Sequence, residues 1–260
     1  MDRARTEKQF KFTDDIMFYL VMQNEEICRG VIETIIGSEI GKIKSLRYQD
    51  FRVVSSNTKP IRLDICVENE RGEIVNIEMQ VAKQGDIPKR MRFYQSVLDV
   101  SMLKTGEQYR ALKKTYIIFI CSFDLFNRNE PLYFFENMCQ NSEALKLGDE
   151  TIKIVVNALA FNKAKTSELR TFLKYLTNDI AEDVLTNKID DAVRIEQLRQ
   201  AAMEYLELFS PREMDIREEG KAEGAYQTKC ETAKKLLEMG IPIEKVLQGT
   251  GLTEDEILAL

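Results

Sequence analysis

The segment IRLDICVENERGEIVNIEMQV, residues 61–81, leaves the chain few ways to fold. Two runs of alternating apolar and polar residues flank a polar stretch, 69–73, which is the pattern of a β-hairpin. Side chains alternate between faces along a strand. Ile61, Leu63, Ile65 and Val67 therefore form one apolar set, and Val75, Ile77, Met79 and Val81 its counterpart. Arg62, Asp64 and Cys66, with Asn76, Glu78 and Gln80, take the opposite face. With 69–73 as the turn, residues whose numbers sum to 142 lie opposite one another: Asp64 faces Glu78, Arg62 faces Gln80 and Cys66 faces Asn76. A register shifted by two residues would keep the same faces and change these partners.

This register sets two carboxylates against each other. Like charges directly opposite on a sheet repel by up to about 1 kcal/mol even in water. The pair persists if a cation lies between the acids or if one of them is protonated. A hard divalent ion such as Mg²⁺ suits the position, because it takes oxygen ligands and often uses only one or two carboxylates plus substrate phosphate. The plain alternative is a solvent-facing strand surface, where Asp, Glu, Asn, Gln and Arg are common.

Elements of both kinds surround the hairpin. Thr13-Asp14-Asp15 opens a helix that continues through Met22, and a second covers Glu25 to Ile36, with Gly37 as its stop. Residues 43–54 read as extended. Apolar spacing in Met91, Val97, Leu98 and Met102 predicts a helix over Pro88–Lys104, with proline in its first turn. Lys114–Phe123, KTYIIFICSF, reads as a buried central strand, followed by strands at Leu132–Phe135 and Ile152–Ala158. A helix from Ser167 to about Leu176 closes a core of α/β or α+β type, giving a first domain of residues 1–177. Residues 178–218 are expected to form a charged helical connector and a linker, PREMDIREEGK at 211–221. Residues 219–260 form a helical appendage. In it Thr232–Met239 is stopped by Gly240, a helix from Ile241-Pro242 ends at Gly249-Thr250-Gly251, and Thr253-Glu254-Asp255-Glu256 opens another as a capping box. A helix-turn-helix there would turn Glu254, Asp255 and Glu256 toward phosphate, which favours a self-association or regulatory module instead.

Composition narrows the chemistry. The chain has no histidine, which excludes Ser-His-Asp and Cys-His catalysis and His-ligated zinc. An enzyme built from it must use carboxylates, Lys, Tyr or Cys, and carboxylate-held hard metal becomes the leading way to activate water. Cys28, Cys66, Cys121, Cys139 and Cys230 form no C-x-x-C pair, and an odd number spread through apolar segments predicts reduced thiols. The longest apolar run, Ile117–Cys121, is far too short for a membrane span, and the charged first residues lead into no signal-peptide core, so a cytoplasmic protein with no membrane partner is expected. The net charge of −6 does not advertise nucleic-acid binding, but Lys83, Lys89, Arg90 and Arg92 form a local basic cluster with only Asp86 inside it. Helical spacing places Lys89 and Arg92 on one side, with Gln95 and Ser96 a turn further on; a solvated helix face is the competing reading. Gly37–Lys42, GSEIGK, is not a P-loop, since it is one residue short and Ile43 stands at the Ser/Thr position.

Asp64, then Glu78-Met79-Gln80, then IPKRMRFYQSVL (Ile87–Leu98) resemble the PD-(D/E)XK nuclease superfamily. More narrowly they resemble the Rpn family of recombination-promoting nucleases, also described as transposases. Asp15-Ile16-Met17-Phe18 is similar to that family's Asp-x-x-Phe, and the resemblance continues through GEQYRALKKTYIIFI (Gly106–Ile120) and the tail AKKLLEMGIPIEKVLQGTGLTEDEIL. It implies a restriction-endonuclease-like α/β core, a mixed sheet flanked by helices, with the C-terminal helices appended. It further implies Asp64 and Glu78 as ligands of Mg²⁺, which Mn²⁺ can replace, hydrolysing phosphodiester bonds in DNA. Gln80 stands where the superfamily name has Lys, as in the Rpn branch, and leaves open what orients the attacking water. Asp15 has two readings, a further metal ligand or an N-cap. Gln95, at the family's Tyr-Gln position, resembles a site residue, while Tyr94 reads equally well as core packing. Cutting both strands commonly needs two sites, so a homodimer is expected. A non-catalytic nucleic-acid- or partner-binding protein on the same fold is the rival reading, and an RNA nuclease would share the same site.

Overall fold

The computed structural model describes residues 10–52, 61–83, 85–142, 144–208, 227–239 and 242–258. Val53, Val54, the stretch 211–221 and the positions Gly240 and Ile241 lie outside them. The chain divides into two compact units, 1–198 and 199–260.

The first unit is α/β. Helices α1 (Asp15–Met22) and α2 (Glu25–Ile36) precede strands β1 (Ile43–Arg52), β2 (Ile61–Asn69) and β3 (Ile74–Gln80). Helix α3 (Ile87–Met102) leads to β4 (Thr115–Cys121), β5 (Leu132–Phe135), β6 (Thr151–Asn157) and α4 (Ser167–Asn178). The long helix α5 (Val184–Leu208) runs past the division between the units. The six strands form one mixed sheet in the order β1-β2-β3-β4-β6-β5. β1, β2 and β3 are an antiparallel meander; β3, β4 and β6 are parallel; β5 returns antiparallel on β6. Parallel neighbours need a crossover, and α3 supplies it between β3 and β4.

The sheet is covered on both faces. α1, α2, α4 and the start of α5 bring Phe18, Ile32, Ile35, Phe172 and Ile189 against Ile65, Val67, Ile77, Ile118 and Val156. On the other face α3 brings Met91, Tyr94 and Leu98 against Cys66, Ile117, Phe119 and Val155. β4 therefore has both faces covered, and all seven of its residues are buried. This agrees with the unbroken apolar run of KTYIIFICSF. The main core also reaches past residue 177, because Ile189 and Val193 of α5 pack into it.

The element ends follow capping chemistry. Asn24 accepts from the backbone N–H of Glu26 at 3.0 Å and of Ile27 at 3.2 Å, with Glu25 and Glu26 favourably placed in the first turn of α2. Gly37 ends that helix at φ +78°, as its stop signal predicts. Asn24→Ala is expected to lower stability by about 1 kcal/mol, read from the urea midpoint at unchanged slope. The N-cap reading of Asp15 does not hold, since Asp14 is the N-cap of α1 and Asp15 its first helical residue.

The hairpin register is the predicted one. Ile65 pairs with Ile77, Cys66 with Asn76 and Val67 with Val75, each pair summing to 142. The face assignment needs two corrections, the first being that Val81 lies past the end of β3 and is exposed. Ile65 and Val67 enter the main core, but Ile61 and Leu63 join the cluster under α3. The ladder to β3 ends at Ile65–Ile77, so the outer part of β2 is held by β1 alone and departs from the pleat it shares with β3.

The second unit, by itself, is a small helical cluster. Its helices are α6 (residues 227–238), α7 (Ile243–Thr250) and α8 (Glu254–Leu258). Ala233, Val246, Leu252 and Ile257 form its core. The expected capping box is present: the Thr253 N–H donates to Glu256 Oε2 at 2.7 Å and the Glu256 N–H to Thr253 Oγ1 at 3.3 Å. Among the described residues no helix is long and apolar enough to cross a membrane.

Candidate active site

Beyond Ile65–Ile77 the two arms part, and side chains take over the vacated backbone groups. The Asp64 N–H donates to Glu78 Oε1 at 3.1 Å, and the Met79 N–H donates to Asp64 Oδ2 at 3.3 Å. Each acid is thus held by the main chain of the other's arm, and the two meet as the pairing predicts. Asn76 Nδ2 adds a third support, donating to Glu78 Oε1 at 3.0 Å.

The solvent-facing alternative does not describe this face. Asn76 is 0 % exposed, Glu78 2 % and Gln80 8 %. A carboxylate so deep, beside another, resists ionisation. Burial pushes the Glu78 carboxyl well above its usual range, and the neighbouring Asp64 charge pushes it further. The hydrogen bonds from Asp64 N–H and Asn76, and the Arg90 charge, oppose that rise without cancelling it. Asp64 is raised too, first by burial, with the Met79 N–H acting against this and Asp15 adding repulsion.

Both acids open onto a cleft of about 770 Å³. Its walls are the outer part of β2, the end of β3, the segment Val81–Ala82 and the first turns of α3, and Asp15 at the start of α1 also lines it. The donor set fits a hard divalent cation. Two converging carboxylates repel each other, all available ligands are oxygens, and Asn76 Oδ1 is buried without a hydrogen-bond partner beside them. Among the described residues, no three Asp, Glu or Cys side chains converge closely enough to hold an ion by themselves. Asp15 therefore faces the cleft and acts on Asp64 through its charge, without completing a three-acid cluster.

The basic cluster separates in space. Lys89 and Arg90 line the cleft, joined by Arg62. Arg92 is exposed on α3 away from the cleft lining, and Lys83 points Nζ at the Asp124 carbonyl, 3.5 Å away. Gln95 is not brought to the cleft either. It is buried, accepting from Thr115 Oγ1 at 2.9 Å and donating to Asp99 Oδ1 at 2.9 Å, where it ties α3 to the start of β4. Tyr94, by contrast, lines the cleft and packs on Phe119 at a ring separation of 6.0 Å.

Sequence reasoning missed two parts of the site. Alternation gives Asn76 only a place opposite Cys66, and the charge pattern gives Arg90 only a share in a basic cluster. The alternation that put Asn76 beside Glu78, and the four-residue spacing of Arg90 and Tyr94, carried both signals.

A family model described as PD-(D/E)XK nuclease family transposase matches residues 14–231, from the start of α1 through the core and into α6. Comparison with curated proteins and with solved structures finds no match. PD-(D/E)XK nucleases generally use divalent metal ions, which agrees with a donor set of paired acids. With most of its length matched, and with its two hairpin acids meeting in an open cleft of a mixed sheet, this chain belongs to the PD-(D/E)XK nuclease family of transposases.

Proposed function

We propose that the protein is a divalent-metal-dependent endonuclease that hydrolyses phosphodiester bonds in DNA during recombination or transposition of mobile elements. The observation that carries the reading is the meeting of Asp64 and Glu78, one half-buried and one fully buried, at the floor of an open cleft. Burying two acids together is unfavourable unless a cation or a proton joins them. Asp64 and Glu78 would hold Mg²⁺, or Mn²⁺ in its place, and such an ion supplies a more acidic bound water and neutralises charge on the phosphate.

The chain's own residues do the rest. Asn76 and the Asp64 N–H fix the Glu78 carboxylate so that its remaining lone pairs face the cleft. Asp15 deepens the negative field at the mouth. Lys89 and Arg62 at the rim offer contacts to the nucleic-acid backbone that carry no sequence information. A homodimer would give one site per strand. A reducing, cytoplasmic setting suits five cysteines that are all free.

The test is cleavage of supercoiled plasmid by wild type and Asp64→Ala with Mg²⁺, Mn²⁺ or EDTA. Metal-dependent nicking that EDTA and Asp64→Ala both abolish is the expected result, and a parallel RNA substrate separates the two nucleic acids. The rival, a binding module without catalysis, has one observation in its favour: both ends of the Gln80 amide are already occupied within the protein. An inert wild type that still binds DNA in EDTA would establish that rival.

A further inference from the structure

The pattern after which the family is named ends in lysine, and this chain has Gln80 there. The substitution removes a positive charge from beside the acids. The structure shows one arriving from elsewhere. Gln80 Nε2 donates to the Ala82 carbonyl at 2.8 Å, and Gln80 Oε1 accepts from Arg90 Nη1 at 2.8 Å. On its other arm, Arg90 Nη2 lies 3.9 Å from Glu78 Oε2 and donates to Tyr94 OH at 3.3 Å. The guanidinium also lies over the Tyr94 and Phe119 rings, 5.7 Å and 5.2 Å from their centroids. A planar fork fixed in this way has little freedom left. Among the described residues it is the cation that forms an ion pair with Glu78, the deeper of the two meeting acids.

Arg62 and Lys89 line the same cleft, but both are exposed. Arg90 is half-buried at the floor, where a charge acts more strongly because less water screens it. We infer that Arg90 is the positive charge of the catalytic pocket, occupying in space the place that the family pattern gives to lysine in sequence, with Gln80 as the arm that holds it. This deepens the nuclease reading and rests on it. In the hydrolysis, a water oxygen forms a bond to phosphorus as the bond from phosphorus to the leaving sugar oxygen breaks. The attacking water gives up its proton to solvent, and the leaving oxygen takes one from solvent. Arg90 neither gains nor loses a proton; it stays a cation and stabilises the negative charge that builds on the phosphate.

The test is single-turnover cleavage with Mg²⁺ and the protein in saturating excess over DNA, beside DNA affinity measured in EDTA. The proteins are wild type, Asp64→Ala, Arg90→Met, Arg90→Lys and the double variant Gln80→Lys with Arg90→Met. Methionine keeps an apolar stem over Phe119 and removes only the charged fork. Arg90→Met is expected to slow cleavage about 10²–10³-fold at saturation, while DNA affinity changes less than about threefold. Arg90→Lys keeps the charge without the fork and falls between Arg90→Met and wild type. The double variant, with its charge returned to position 80, recovers at least about tenfold over Arg90→Met. A purely structural role for Arg90 would show no such recovery. Arg90→Met cutting at the wild-type rate overturns the inference, as does a double variant that melts cooperatively yet cuts no faster than Arg90→Met. Either result, with Asp64→Ala inactive, leaves the nuclease reading standing. A wild type as inert as Asp64→Ala overturns both.

Discussion

Glu78→Gln is expected to abolish metal-dependent cleavage, by on the order of 10³-fold, while making the metal-free protein more stable at alkaline pH. The two effects have one origin. Glu78 is 2 % exposed and lies against Asp64, so its folded-state carboxyl holds a proton to higher pH than the same group in the unfolded chain. Between the unfolded and folded values the native state binds more protons, so wild-type stability falls as pH rises through that window and stays low above it. Glutamine keeps the shape and removes the charge, so the decline should flatten. The gain at pH 8.5 over pH 5 should be on the order of 2 kcal/mol. Chemical denaturation across pH, without metal, checks this. A divalent ion should restore wild type at alkaline pH by binding the ionised pair, and should leave Glu78→Gln unmoved. Equal pH dependence in the two proteins would show that the pair is not strained.

Phe119→Ala is expected to cost about 3–5 kcal/mol, the largest single loss of stability from any substitution considered. Phe119 is fully buried on β4, and lies beside Glu78 in the parallel ladder. Its ring packs on Tyr94 and lies beneath the Arg90 guanidinium, so truncation removes aromatic, cation–π and transfer energy and leaves a cavity under α3. Phe119→Leu, which fills most of that volume, should cost far less. Urea unfolding at constant slope gives both numbers. The cavity would also admit water toward Glu78 and let its carboxyl return toward the usual range, so the alanine variant should lose part of the wild-type pH dependence as well.

The sequence was most informative where one periodicity governs. Alternation along the hairpin set the register and the meeting of Asp64 with Glu78, and an unbroken apolar run identified β4. It was least informative where two elements far apart decide. Nothing local says that α3 covers the polar face of β3, so the burial of Gln80 and Asn76 has no mark in the sequence. For the same reason Gln95 read as a site residue, when its partners are Thr115 and Asp99. Lys89, Arg90 and Arg92 share a stretch of charge, yet only the rotation of α3 on the sheet separates a floor cation from a rim cation and an outward one. The outer part of β2 departs from strict alternation because its ladder to β3 stops, an event with no sequence mark.

The acid pair comes from a single hairpin, fourteen residues apart, whereas its cover comes from α3 and from a strand paired in parallel across a crossover. Local contacts form early in folding, and parallel ones wait for long loops to close. The hairpin can therefore close with both acids ionised in water, where their repulsion is slight. The penalty arises when β4 and α3 seal the face, a step we expect late in folding because it needs the longer loops closed. A cation that relieves it then acts as a brake on unfolding. It lengthens the lifetime of the native state without hastening its formation.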